Sequence, residues 1–420
     1  MTGVKTGLVG ACVGLLSACT FGSTMPREAM PTDSQARLDA IVAGGGDRQR
    51  AAPGAAIAVW ADGDILWSAA SGAAAFHADG LTVQRDLRAN DPVRAASMSK
   101  LATALTASAL AQEGVVDLRA PIEPLLGFQL PVPNGGQVTI EDALAHVSGI
   151  CDPQVYWAPL GASLESLMTQ EAACEYPPGE GWTYANINYA LVAQALENAT
   201  GERFDVLSNR YVISPLGLDG GFNGAGMSAQ RRAEGATLHR WIDGRWLAQV
   251  DDEATLSGPI PTVLRDQSER LADYQPGTNG TLFSPQGGLR VGVEDLARLA
   301  AAFLPEGPGA GLGAPVWRGS ELPGVRAWGG GPQVLVEGQV PGRAGLSLVG
   351  HGGEAYGLYG GNWAVPACSA AVAFYVTGSD PAYGAERDQT SGLTWWEDQL
   401  LTLALDELET LTGCRALQGE

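Results

Sequence analysis

Residues 91–114 read DPVRAASMSKLATALTASALAQEG. The Asp91-Pro92 pair ends an extended approach, and the Ala- and Leu-rich run after it predicts a helix from Ser97 to about Glu113, with Gly114 as its stop. Ser97 and Lys100 are then three positions apart at a helix start and share one face. Burial and the positive helix end lower an ammonium pKa. A neutral Lys100 amine can accept the Ser97 proton, and an ammonium there can stabilise the alkoxide. The composition sharpens this reading. The chain holds only two lysines, Lys5 and Lys100. A surface lysine beside a capping serine would be unremarked in a lysine-rich protein, but not in this one.

Two further elements lie downstream. Tyr184-Ala185-Asn186 follows the Pro177-Pro178-Gly179 turn and precedes a helix from about Asn188 to Gly201. A phenol near a cation can ionise and act as a base, and Asn186 offers a donor and an acceptor to an ester or amide. Alone, the pair reads better as a core tyrosine and a turn asparagine. His351-Gly352-Gly353 lies in SLVGHGGEAYGLYGGNWAVP, where glycines at a strand edge allow a ligand close to the backbone. A strand N–H there can pair with the Ser97 N–H as an oxyanion hole.

SxxK, YxN and HxG in this order and spacing resemble the serine β-lactamase-like superfamily of penicillin-recognising enzymes, with class C β-lactamases, related esterases and D,D-peptidases as the nearest pattern. Leu144-Ala145-His146-Val147-Ser148-Gly149 and Gly287-Gly288-Leu289 followed by Val293–Arg298 are similar to further segments of that family. The resemblance spans about residues 35–410. It implies Ser97 as nucleophile, Lys100 as its activating partner, Tyr184 as general base or proton shuttle and Asn186 as the substrate-amide binder. It places His351, Gly352 and Gly353 at the substrate-binding third motif and Glu354 as donor of the second oxyanion N–H. His146 reads as structural. No metal or organic cofactor is implied. Many relatives that bind carboxylates carry threonine or serine where Gly352 stands. With His351 only fractionally charged near pH 7, neutral esters or amides are expected to turn over better than penicillins, unless an arginine such as Arg326 or Arg343 folds over the site.

The remaining sequence fits an interleaved α/β (α+β) architecture. A helix is predicted over 34–43, and the β-rich runs around Asp62-Gly63 predict a hairpin. After Gly287 come a helix over about 293–304, strands near 332–338, 345–350 and 370–377, and a final helix over 393–411. These elements predict an antiparallel sheet flanked by terminal helices, from about 34–110 and 290–420, beside an all-α lobe over about 111–289. A cleft between the lobes is the natural site.

The chain has 420 residues, 45% hydrophobic and 17% charged, enough for a full core. Its net charge of −21 and lack of any Lys/Arg run exclude a nucleic-acid binder. Four dispersed histidines and the cysteine spacing give no zinc pattern. Lys5 and an apolar run over about 7–16 form a signal-type segment too short to span a bilayer. It ends in Leu16-Ser17-Ala18-Cys19, similar to the lipobox of bacterial lipoproteins. The expectation is a signal peptide over 1–18, lipid on Cys19, a tether over 19–33 and a hydrolase domain over 34–420. Membrane contact would be through the lipid, in the bacterial envelope, at the periplasmic face of the outer membrane. Of six cysteines, Cys12 falls in the signal peptide and Cys19 takes the lipid, which leaves four in an oxidising compartment. Cys151–Cys174 and Cys368–Cys414 close the shortest loops and are the expected pairs. The function expected is hydrolysis of a small-molecule or peptide ester or amide through a Ser97 acyl-enzyme. The alternatives are a penicillin-binding envelope protein with little turnover, or a true β-lactamase or D,D-carboxypeptidase. The sequence leaves the oligomeric state open.

Overall fold

Asp62 and Gly63 both take left-handed backbone angles, with φ of 54° and 90°, and turn the chain between β1 (Gly54–Ala61) and β2 (Asp64–Phe76). The computed structural model describes residues 33–222, 224–249, 271–322, 324–383 and 386–418. Asp33 caps α1 (Ser34–Val42), which precedes the hairpin. β3 (Val83–Asp86) and β4 (Val93–Arg94) follow it. The helical stretch then holds α2 (Lys100–Gln112), α3 (Glu123–Leu126), α4 (Ile140–Leu144), α5 (Ile187–Thr200), α6 (Phe204–Ser208) and α7 (Ala229–Ala233). β5 (His239–Ile242), β6 (Arg245–Ala248), β7 (Arg290–Val291) and α8 (Val293–Ala301) come next. The last third supplies β8 (Trp317–Leu322), β9 (Val325–Trp328), β10 (Gln333–Leu335), β11 (Leu348–Ala355), β12 (Leu358–Val365), β13 (Ala370–Val376), β14 (Gly378–Ser379) and α9 (Trp395–Thr412).

Nine strands form one antiparallel sheet in the order β3-β2-β1-β13-β12-β11-β10-β9-β8. Its two halves meet where Ala55 of β1 lies opposite Val376 of β13. Every residue of β13 (AAVAFYV) is buried, as a continuous apolar run requires, and α8 and α9 both pack on it. A second apolar cluster joins α2, α3, α4 and α5 through side chains such as Leu110, Leu126, Leu144 and Leu191. The fold is thus mixed α and β, with helices against a large antiparallel sheet. Both expected disulfides are formed, Cys151–Cys174 and Cys368–Cys414, with Cα atoms 5.2 and 5.7 Å apart.

Three local readings change. Ser97 lies in a 3-10 turn, Ala96–Ser99, and the α-helix begins only at Lys100. Buried Ala96, with φ of 49°, introduces the turn. The His351-Gly352-Gly353 segment is mid-strand rather than at a strand end. Gly352 faces Gly361 and Gly353 faces Gly360 across β11 and β12. A Cβ at Gly353 would stand 3.0 Å from Met98 Cε and 3.2 Å from the Ala95 carbonyl, so the missing side chain lets β11 run against the Ser97 turn. Strands β8, β9 and β12 are additions, because arginines, glutamate and paired glycines interrupt their apolar alternation; β3 is a further addition, and the β5–β6 hairpin corrects the expectation of an all-α lobe over 111–289. The expected signal peptide over 1–18, Cys19 and almost all of the 19–33 tether lie outside the described residues.

Candidate active site

The 3-10 turn presents Ser97 beside Lys100, which is fully buried. Lys100 Nζ stands 3.3 Å from Ser97 Oγ and donates to Asn186 Oδ1 at 2.9 Å and to the Gln286 carbonyl at 3.2 Å. Its ammonium position also lies 4.6 Å from the Tyr184 ring centre and 5.1 Å from that of Tyr189. Burial brings the amine down to about 7, against the pull of the Asp152 carboxylate. Near neutral pH a large fraction is therefore the free base.

Tyr184 Oη donates to Ser97 Oγ at 2.7 Å. Burial holds this phenol well above the ordinary tyrosine value, and the hydrogen bond to Ser97 only partly opposes that. The phenol is therefore not ionised, contrary to the expectation from sequence. Tyr184 remains protonated while Lys100 is the group poised to take a proton, because burial disfavours tyrosinate and ammonium alike. Asn186 bridges Lys100 to Asp152: its Nδ2 donates to Asp152 Oδ2 at 3.0 Å, and Ile187 N donates to Asp152 Oδ1 at 2.8 Å. Asp152 thereby holds the amide orientation and the start of α5. It directly follows disulfide-bonded Cys151.

The loop before β7 braces the nucleophile turn from the other side. Ala95 N donates to the Leu289 carbonyl, Leu289 N donates to Ser99 Oγ, and Thr103 Oγ1 donates to the Pro285 carbonyl. The Leu144–Gly149 segment supports Tyr184. His146, with φ of 61°, stacks on the Tyr184 ring at 4.4 Å, and its Nδ1 accepts from Ala185 N. Burial, Lys100 and His351 push His146 well below the ordinary histidine value, so it is neutral and structural.

A cleft of about 890 Å³ opens over these groups, lined by Ser97, Tyr184, Asn186, His351, Gly352, Gly353 and Glu354. Trp182, Trp328 and Tyr156 add aromatic walls. His351 is buried, and burial together with Lys100 brings it down to about 3. It is neutral near pH 7 rather than fractionally charged. Its Nδ1 lies 2.6 Å from the Gly352 carbonyl, and its Nε2 is buried with no hydrogen-bond partner among the described residues. The Glu354 side chain turns to Arg387 at 2.6 Å and Tyr359 at 3.1 Å, while its backbone lies on the cleft strand.

The cations that line the cleft are Arg94, Arg240 and Arg387, not Arg326 or Arg343. Arg343 is committed to Asp406 and Glu409. Arg94 donates to Ser284 Oγ and lies over the Tyr356 ring. Sequence reasoning missed Asp152, the Gln286 carbonyl, Arg94 and Glu397. None sits in a motif, and a backbone carbonyl leaves no side-chain signal at all. Among the described residues no group of three or more His, Cys, Asp or Glu side chains is arranged to hold a metal ion.

A family model described as Beta-lactamase matches residues 38–393. Penicillin-binding protein 4* of Bacillus subtilis is 29% identical over 167 residues, 37% of this chain and 35% of that protein. The D-alanyl-D-alanine-carboxypeptidase/endopeptidase AmpH of Escherichia coli is 30% identical over 139 residues, 30% of this chain and 35% of its own. The matched stretches thus span about a third of these relatives. The crystal structure of D-amino acid amidase from Ochrobactrum anthropi SV3 superposes with a TM-score of 0.63 at 16% identity, covering 90% of this chain and 96% of that one. At that identity the likeness is one of fold.

Proposed function

The chain belongs to the β-lactamase family, and from that premise we propose that it is a serine hydrolase that cleaves an ester or amide through a Ser97 acyl-enzyme. One observation carries the proposal: Ser97 Oγ lies between a buried lysine amine at 3.3 Å, brought to about 7, and a tyrosine hydroxyl at 2.7 Å. Neutral Lys100, directly or through the Tyr184 hydroxyl, takes the Ser97 proton as Oγ attacks the carbonyl carbon. The backbone N–H groups of Ser97 and Glu354 receive the oxyanion. The proton then passes to the leaving alcohol or amine, the C–O or C–N bond breaks, and the acyl-serine remains. Water attacks it with the same groups as base, releasing the acid and restoring Ser97. Asn186 orients the substrate amide, and the aromatic walls seat its apolar part.

Among the relatives, one carries carboxypeptidase in its name and another is a D-amino acid amidase. The carboxypeptidase name belongs to a sequence relative and supports hydrolysis of an amide bond as the reaction class, while the amidase supports the fold. The third motif supports neutral esters and amides over penicillins. Gly352 has no hydroxyl, and neutral His351 has no charge for a carboxylate. Ser97→Ala should abolish acylation by a fluorescent serine-directed probe and lower p-nitrophenyl ester turnover by roughly 10³-fold or more. Labelling of Ser97→Ala at the wild-type rate would refute the assignment.

The envelope location is part of the same reading. No helix among the described residues is long and apolar enough to cross a membrane. Lipid on Cys19, after cleavage of residues 1–18, would anchor the domain over 34–420 through the 19–33 tether at the outer membrane's periplasmic face. Cys19→Ser should shift the protein from the membrane to the soluble fraction of a bacterial host. An intact leader or an unlipidated Cys19 by mass spectrometry would overturn it.

A further inference from the structure

Gly352 leaves a space on the cleft wall, and a carboxylate faces it. A Cβ at Gly352 would lie 3.8 Å from Glu397 Oε1, in ordinary contact. Glu397 comes from the first turn of α9, far from any sequence motif, yet it lines the same cleft as Ser97 and His351. Its two oxygens have different fates. Oε2 accepts from Thr394 N at 2.9 Å, from Thr394 Oγ1 at 2.8 Å and from Arg387 at 3.3 Å, which completes the capping box of α9. Oε1 has no hydrogen-bond donor among the described residues, although the side chain is 3% exposed.

The helix cap needs one oxygen and leaves the other for something in the cleft. Three arginines and two glutamates line the cleft, but the ion cluster that holds Glu397 is itself negative on balance. Arg387 is shared between Glu354 at 2.6 Å and Glu397 at 3.3 Å, so two carboxylates face one guanidinium. Of the other cations lining the cleft, Arg94 donates to Ser284 Oγ and lies over the Tyr356 ring with its Nε and Nη1 left without a hydrogen-bond partner among the described residues, and Arg240 is an exposed residue of β5; neither forms an ion pair with Glu397. Burial raises the Glu397 carboxyl above its ordinary value, with Arg387 and Thr394 opposing, so an incoming positive charge would favour its ionised form. Positions 352 and 354 lie on one face of β11, about 7 Å apart along the strand. That separation suits a ligand whose carbonyl oxygen takes the Glu354 N–H while a donor a few bonds away reaches Oε1.

The geometry points to Glu397 as a specificity residue that receives a substrate ammonium at Gly352, so that the enzyme prefers esters or amides bearing a free amino group close to the scissile carbonyl. This rests on the serine-hydrolase reading and adds the substrate's charge to it. It also changes what a hydroxyl at position 352 would do. A threonine there would stand next to Oε1 and donate to it, rather than recruit a substrate carboxylate.

The test compares three p-nitroanilides at pH 7: alanyl, isobutyryl and malonyl, which place an ammonium, a methyl and a carboxylate near the same carbonyl. Wild type should favour the alanyl over the isobutyryl substrate in kcat/KM by about tenfold or more, the scale of a charge-assisted hydrogen bond, with malonyl slowest. Glu397→Gln retains the capping box, since glutamine also serves at that position, and should bring the alanyl-to-isobutyryl ratio down by a similar factor. Comparing the ratio between variants removes the amine's inductive effect on the carbonyl. Gly352→Val, which leaves Glu397 in place but fills the space before Oε1, should lower the ratio too. If both variants keep the wild-type ratio, or if wild type shows none, the inference is overturned while Ser97 acylation stands. If no substrate or probe acylates Ser97, the hydrolase reading falls and the inference falls with it.

Discussion

Replacing Asp152 with asparagine should move the enzyme's pH dependence to lower pH. Asp152 touches neither substrate nor nucleophile. It acts through Asn186, whose amide links it to Lys100 by hydrogen bonds of 3.0 and 2.9 Å. The carboxylate thus lies roughly 7 Å from the amine, and at an effective dielectric constant near 20 that separation corresponds to about 2 kcal/mol. This charge is what opposes burial and holds Lys100 up at about 7. Only the neutral amine can accept the Ser97 proton, so wild-type kcat/KM should rise about tenfold per pH unit below 7 and level off above it. Removing the anion lowers the amine pKa further. The rising limb should move down by between one and two pH units, towards one where the partial exposure of Asp152 adds solvent screening. The assay is kcat/KM for a neutral p-nitrophenyl ester from pH 5 to 9, with circular dichroism to check the fold. The plateau should drop as well, since an asparagine at 152 holds Asn186 and Ile187 N less firmly. A limb that stays at 7 or moves upward would refute the account of Lys100 as the titrating base.

Lys100→Met should stabilise the protein while inactivating it. Below pH 7 the folded state buries an ammonium, and above about 10 neither state is charged, so the wild type regains stability as pH rises between those values. The gain in Tm for Lys100→Met should therefore be largest near pH 6 and shrink towards pH 10, and a variant less stable than wild type at pH 6 would contradict it. Loss of either disulfide should cost about 2–4 kcal/mol in urea unfolding. Loss of Cys151–Cys174 should also lower kcat/KM, because Asp152 is the next residue. Loss of Cys368–Cys414 should leave kcat/KM unchanged, and equal effects on activity would show that the Asp152 segment is held by other contacts.

The nucleophile, its lysine, the tyrosine and the asparagine were legible because their spacing is itself the signal, and the structure brings all four within hydrogen-bond reach. What the residues cost electrically was not legible. Lys100, Tyr184 and His351 are shifted chiefly by burial, and burial at one position depends on segments far away in sequence. That is why the phenol read as ionisable and the histidine as partly charged. Asp152 and Glu397 escaped for another reason. Each performs a helix-start duty, at α5 and α9, that any acidic residue in a first turn could perform, and only the cleft distinguishes them. The sheet was half legible. β1, β2 and β13 carry unbroken or alternating apolar runs, whereas β12 pairs glycines against glycines in β11 so that the backbones can approach.

The seam between β1 and β13 has a consequence for how the protein is made. Ala55 must wait for Val376 before the centre of the sheet can close. The contacts that join α2 to α5 are closer together in sequence and can form while the C-terminal third is still emerging. Such an intermediate would already gather Ser97, Lys100, Tyr184 and Asn186. It would still lack β11, and with it the Glu354 N–H that the proposed reaction needs. The nucleophile is thus assembled first and armed last, by the same late strand that completes the sheet.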